Sequence, residues 1–470
     1  MNKTVMKAAA GALLAYFLFV LLACILLPLS PKRAGGQEES PGAGFQTLAA
    51  GESAGDERVL CIDDNSEALL WRLLAIEAAQ EEIILSTFNF KADNSGQDIL
   101  SALLSAANRG VQVKVLIDGL SGLLDVQGRA EFQALAASPQ AEIRIYNPIR
   151  FLKLWEANYR LHDKYLIVDE QLYLLGGRNI GDLFLGDYQA KQNTDRDILV
   201  YSGQADGSLG QLRDYFQQVW ELPDCRPLQA RADSPKVQQS AQALQEHYEQ
   251  LPLRLPQAFQ PVDWEAETLP ARHISLLSNP VEASNKAPTL WTEACRIMDG
   301  GRDILIQTPY VICGRAMYAD LTALSSDPQR QLRILTNAVE NGANPWGCSD
   351  YLNQKTNILA TGADIYEYVG AHSLHTKTIL VDDDLSLVGS YNLDMRSTYL
   401  DTELMLLIDC PALNRQLRET AAQAMSQCKL ALSDGGELEG PSYEPASLSP
   451  LKGMVYALLR VLTVPIRHLL

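Results

Sequence analysis

The chain carries one five-residue pattern twice. His162, Lys164, Asp169, Gly176 and Asn179 recur as His375, Lys377, Asp382, Gly389 and Asn392, with offsets of +2, +7, +14 and +17 in both copies. The same apolar run separates the polar residues, Leu166, Ile167 and Val168 in one copy and Ile379, Leu380 and Val381 in the other. A repeat of this kind constrains the fold more tightly than composition does. Two copies of one unit, related by a pseudo-twofold axis, are expected to meet face to face. Each supplies an imidazole, an ammonium and an amide beside a glycine turn, and the two together suit phosphodiester chemistry.

The surrounding pattern repeats as well. Residues 66–80 have helical apolar spacing, 81–90 read as a buried strand, 98–110 as a helix with a glycine stop, and 111–118 as a strand. A helix near 128–137 and a strand at 141–148 follow, then the strand that holds His162. Segments 302–312, 332–340 and 363–370 answer the three earlier strands before His375. Strands alternating with helices predict an α/β fold with mixed or parallel sheets. A chain of 470 residues also exceeds the roughly 250–300 at which a single core stops growing.

The boundaries follow from composition. Residues 1–30 hold an uncharged apolar run at 8–29, long enough for one membrane span of about 20 residues. Residues 31–57 are rich in Gly, Ser, Pro and Glu and read as a tether. The repeats are expected at 58–202 and 271–430. Between them, 203–270 reads as a connector with helices near 208–220 and 235–250. The tail, 431–470, ends in the acid-free, basic and apolar stretch 448–470, which suits an amphipathic helix in a lipid headgroup layer or a helix docked on the protein itself.

HDKYLIVD…GGRN at 162–179 and HTKTILVD…GSYN at 375–392 resemble the paired HxKxxxxD motifs of the phospholipase D superfamily. Within it the chain is most similar to the bacterial cardiolipin synthases of the C type, through GGRNIGDLF at 176–184, GSYNLDMRS at 389–397 and SALLSAANRGVQVKVLIDG at 101–119. It departs from them at STFNFKAD (86–93), where many cardiolipin synthases carry an aromatic run. The resemblance implies a tandem duplication of a phospholipase D-like α/β/α domain, one active site at the pseudo-twofold interface, and an N-terminal transmembrane helix.

The motif gives His162, Lys164, Asp169, His375, Lys377 and Asp382 as the candidate catalytic set. Asp169 and Asp382 are expected to hold the strand–turn geometry rather than touch substrate. Lys164 and Lys377 are point charges for phosphate oxygens, and Asn179 and Asn392 add neutral donors. One histidine should attack phosphorus to form a phosphohistidine while the other protonates the departing alcohol. His162 is expected to be the nucleophile and His375 the acid/base. The resemblance also implies a supporting carboxylate for each ring, with Asp197 and Glu403 as candidates.

No cofactor or metal is expected, since the eight cysteines form no CxxC and no zinc spacing. A net charge of −18 argues against a nucleic-acid partner. The expected partners are a phospholipid such as phosphatidylglycerol and a membrane. The expected location is the cell membrane, with the catalytic body outside the cytoplasm. The motifs leave open phosphatidyl transfer, phospholipid hydrolysis, a superfamily nuclease and a silent scaffold.

Overall fold

Local sequence signals set the first layer. Asp64 caps the helix Asn65–Ala78 by accepting from the amides of Ser66 and Glu67. Asp93 caps Asn94–Arg109 through Gly96, and Gly110 ends that helix at φ 102°, a left-handed backbone that glycine adopts without strain. Between and after them come the strands Glu82–Thr87 and Gln112–Asp118, which pair in parallel. The computed structural model describes residues 3–27, 56–202, 207–432 and 435–470. The expected tether at 31–57 lies outside the described residues except at its last two positions.

Each repeat builds a nine-stranded sheet. The first runs Leu269–Pro270, Glu57–Ile62, Asp197–Ser202, Leu172–Gly176, Tyr165–Val168, Glu82–Thr87, Gln112–Asp118, Ala141–Tyr146 and Cys225–Pro227. The second repeats the order with His273–Ser278, Leu404–Asp409, Leu385–Gly389, Thr378–Val381, Asp303–Gln307, Gln331–Asn337, Asp364–Tyr368 and Cys428–Ala431, ending at Glu437–Glu439. In each, three central strands are parallel and the motif strand joins them antiparallel. The expected duplicated α/β architecture is therefore present.

A shared core joins the two sheets. Val59, Ile84, Ile167 and Val200 of the first meet Ile274, Leu305, Leu380 and Leu406 of the second in one buried cluster. Separate cores lie under the outer helices of each repeat. The interface is also stitched by polar contacts. Arg196 donates to Gln307 and Thr378 across it, and Asn193–Thr194 pairs in parallel with Ser373–Leu374. Burying this surface fixes the repeats as one body, so side chains from both can be positioned at the seam.

The connector holds the helices Ser208–Trp220 and Pro235–Arg254. Near the N-terminus a helix spans Lys3–Leu26. Its second half touches the body: the Tyr16 hydroxyl donates to the Phe151 carbonyl at 2.9 Å, and the Asn158 amide to the Cys24 carbonyl at 3.0 Å. Among the described residues no helix is long and apolar enough to cross a membrane, so the anchor expected at 8–29 is not found. In the tail a helix spans Pro450–Ile466.

Candidate active site

The two histidines stand on the loops that enter the motif strands. Those strands begin at Tyr165 and Thr378, just after the lysines, so His162–Lys164 and His375–Lys377 precede them. Each histidine is pinned by the opposite repeat. The His162 amide donates to Thr402 Oγ1 at 3.1 Å, and its ring Nδ1 lies 2.8 Å from Glu403 Oε1. The His375 amide donates to the Thr194 carbonyl at 2.8 Å, and its Nδ1 lies 2.5 Å from Asp195 Oδ2. With Nδ1 held in each case, Nε2 is the nitrogen left for chemistry.

Both lysines are buried beside their histidines. Lys164 Nζ donates to the His162 carbonyl, and Lys377 Nζ to the His375 carbonyl with His375 Nδ1 2.6 Å away. Burial, opposed by the Glu403 charge, lowers Lys164 to about 7. Burial lowers Lys377 as well. The same desolvation, helped by Lys164, holds the His162 ring neutral, and with Lys377 it lowers His375 to about 4. Lys377 and His375 both act on His162, so the two motifs share one electrostatic field.

The two carboxylates differ. Burial raises Glu403 to about 8, against Lys164 and the hydroxyls of Ser390 and Ser397 that donate to it at 2.5 Å. For Asp195 burial acts in the same direction, but Lys377 and His375 outweigh it and keep the carboxyl well below the usual range. Phe88 packs edge-on against His162 at 5.3 Å and Phe184 against His375 at 5.1 Å. These rings exclude water from the imidazoles. Nothing in the spacing pointed to them, although Phe88 lies within STFNFKAD and Phe184 ends GGRNIGDLF.

The carboxylate expected at Asp197 sits elsewhere. Asp197 is fully buried and holds Arg72 at 2.9 Å and Arg178 at 3.2 Å. Strand register gives the reason. Gly176 pairs with Asp197 and Gly389 with Met405, so the residues two earlier, Asp195 and Glu403, are equivalent. The segment from Asn179 to Asp195 is longer than that from Asn392 to Glu403, and this hides the match from sequence spacing.

Asp169 and Asp382 are anchors at the far end of the motif strands. Asp169 accepts from the amides of Gln80, Glu81 and Glu82, and Asp382 from those of Arg302 and Asp303. Both adopt left-handed backbone, φ 52° and 49°, so they make the tight turn. The motif glycines serve close approach instead. A Cβ at Gly176 would meet the Arg196 carbonyl at 2.3 Å, and one at Gly389 the Leu404 carbonyl at 2.1 Å. Gly177 is needed in the same way: a Cβ there would lie 2.3 Å from Asp195 Oδ1.

Asn179 and Asn392 are both buried at the site, but they are used differently. Asn179 Oδ1 accepts from the Asn89 amide at 3.1 Å. Asn392 Oδ1 has no hydrogen-bond partner among the described residues and lines a cavity of about 330 Å³ that also reaches His162. Phe88, Arg160, Asp394 and Arg396 contribute to the same wall, and Leu120 and Leu470 to its apolar part. Arg160 aligns with Ser373 of the other repeat and Arg396 with Leu183, so these two arginines of the wall are not repeated.

The chain is similar to known proteins in sequence and in fold. A family profile described as "Cardiolipin synthase, PLD-like domain" matches residues 73–220 and 295–425. Cardiolipin synthase C of Escherichia coli is 26% identical over 394 residues, 75% of this chain and 81% of that one. An uncharacterized protein of Helicobacter pylori is 25% identical over 405 residues, 78% of this chain and 79% of that one. Among solved structures, the phosphatidylserine synthase of Haemophilus influenzae shares the fold with a TM-score of 0.60 at 19% identity, covering 86% of this chain and 93% of that one.

Proposed function

Because the chain belongs to the phospholipase D-like family of cardiolipin synthases and is a phospholipid-modifying enzyme, we propose that it transfers a phosphatidyl group between phospholipids through a phosphohistidine. The observation that carries this reading is the crossed pairing of each imidazole with a carboxylate of the other repeat, beside a buried lysine. Neither repeat alone has a complete set of groups. The two rings act on each other electrostatically, and on this reading they face one phosphodiester from opposite repeats.

In the first step His162 Nε2 attacks phosphorus and the bond from phosphorus to the departing glycerol oxygen breaks. His375 gives that oxygen its proton. In the second step His375 takes the proton of an incoming hydroxyl, whose oxygen attacks phosphorus and displaces His162. Lys164 and Lys377 neutralise charge on the nonbridging oxygens as it builds, with the Asn179 and Asn392 amides beside them. Burial lowers both rings, and the roles divide by the carboxylate behind each: His162 faces Glu403, which burial pushes up to about 8. His375 sits against an ionised Asp195, which favours the charged ring that proton transfer creates.

Phosphatidylglycerol is the donor and acceptor that the resemblance favours, with cardiolipin and glycerol as products. Incubating the detergent-solubilised protein with phosphatidylglycerol, alone and with phosphatidylethanolamine, and identifying lipids by mass spectrometry tests it. Cardiolipin is the expected product. Phosphatidic acid without cardiolipin would make the reaction hydrolysis, and the absence of any lipid product would reject a phospholipid substrate.

A further inference from the structure

The helix Pro450–Ile466 is built inside out for a surface helix. The stripe it turns inward is Lys452, Tyr456, Leu459 and Thr463, half of it polar. Tyr456 and Thr463 are buried, the Lys452 ammonium donates to the Glu340 carbonyl at 2.9 Å, and Asn353 donates to the Arg460 carbonyl at 2.8 Å. The outward stripe is Leu451, Met454, Val455, Leu458, Val461 and Leu462. Leu458 and Val461 are 63% and 70% exposed. A helix stable in water alone would show the opposite arrangement, with its apolar stripe against the core.

This face does not end with the helix. His468 Nε2 lies 2.6 Å from the Ile25 carbonyl, joining the tail to the N-terminal helix, whose Phe17, Leu18 and Leu22 are also exposed. That helix in turn holds the loop bearing Phe151 and Leu152, the latter 78% exposed. The tail then enters the catalytic cavity. The Arg396 amide donates to the Leu470 carbonyl at 3.1 Å, and Leu470 lines the pocket that contains His162. The exposed apolar residues of the tail helix, the N-terminal helix and the Phe151 loop are thus linked through contacts to the wall of the active-site cavity.

We infer that the outward face of Pro450–Ile466 lies flat in the headgroup layer of a lipid bilayer and turns the mouth of the His162 pocket toward it. Two observations select a bilayer over a second copy of the chain. Residues 448–470 contain no acid in a protein of net charge −18, and Arg460 stays exposed on the helix next to Val461, a placement that suits anionic lipid phosphates. A second copy seated on this face would also cover the cavity mouth at Leu120 and Leu470. A bilayer presents its lipids there. The choice of occupant rests on the phospholipid reading above, but the binding measurement does not.

The test uses the full chain and vesicles of phosphatidylcholine with one quarter phosphatidylglycerol. In flotation, Leu458→Glu with Val461→Glu should lower vesicle binding at least about tenfold, since a charge replaces buried apolar area. Turnover of a short-chain, monomeric phosphatidylglycerol should be unchanged. Val461→Trp should bind vesicles more tightly, and its fluorescence should be quenched by brominated lipid. Unchanged flotation of the double variant, or an unquenched tryptophan, overturns the inference. So does a wild-type dimer that the double variant breaks without any change in flotation. If the wild type floats but turns over no phosphatidylglycerol, the substrate reading fails while the docking face stands.

Discussion

The pairs His162–Glu403 and His375–Asp195 share one construction and differ in where their proton sits. In each, a carboxylate from one repeat holds the Nδ1 of an imidazole from the other. Glu403 is buried among hydroxyls and pushed up to about 8, whereas Lys377 and His375 keep Asp195 ionised. Duplication supplies the geometry twice, and divergence in the neighbouring residues makes two chemical roles from it. Ser390 and Ser397 donate to Glu403, whereas Asp195 lies 3.6 Å from the Lys377 ammonium. Both imidazoles are lowered, so it is the state of the carboxylate behind each ring that separates the two halves.

The harshest way to break the comparison is to remove one imidazole. His162→Ala and His375→Ala should each reduce phosphatidyl transfer by at least about 10³-fold, because each ring acts in both steps. A variant that kept half of the activity would mean two independent sites. Next, Lys164→Ala and Lys377→Ala should each cost on the order of a hundredfold or more in kcat, as for loss of one charge-stabilising donor. Steady-state kinetics on mixed micelles would read both.

The carboxylates sharpen the contrast. Asp195→Asn should lower kcat more than Glu403→Gln, since the amide replaces a charge in the first and a carboxyl near its titration point in the second. Equal losses would remove the proposed inequality. Asp197→Asn belongs to a different class. It should leave the chemistry in place but destabilise the fold by about 3–5 kcal/mol, because Arg72 and Arg178 lose their buried partner. Thermal denaturation with parallel activity measurements would distinguish these outcomes.

The smallest expected effect is one of pH. Lys164, at about 7, is charged below that pH and neutral above it. An anionic phosphodiester binds the charged form, so affinity at limiting substrate should fall as pH rises past 7, by at most about tenfold per unit for one proton. Lys164→Arg should flatten that limb, because a guanidinium stays charged. A limb that survives the substitution would assign the titration to another group.

Much of this was legible in the chain. The repeated offsets place both histidines, both lysines and both asparagines, and helical and strand periodicity gives the order of elements in each half. Glu403 was reachable because it closely follows GSYNLDMRS. Asp195 was masked, since the longer segment after Asn179 breaks the spacing; the Thr-acid step shared by Thr194–Asp195 and Thr402–Glu403 was the one signal for it, and the pairing of Gly176 with Asp197 restores the register. The glycines were read as turn formers, yet their work is close approach, while the turns fall on Asp169 and Asp382. Such assignments depend on which backbone lies across from which, and a single sequence does not state that. The tail was open to two readings, docked or interfacial. The helix does both, docking through a half-polar stripe and exposing an apolar one.

Trapping the covalent intermediate tests the central claim most directly. The wild-type protein, mixed with phosphatidylglycerol and denatured at alkaline pH within seconds, should carry a phosphatidyl adduct on the peptide that contains His162. Peptide mass spectrometry would locate it. An adduct on the His375 peptide of the wild type, with none on His162, would reverse the roles of the two halves and contradict the division of labour drawn from their carboxylates.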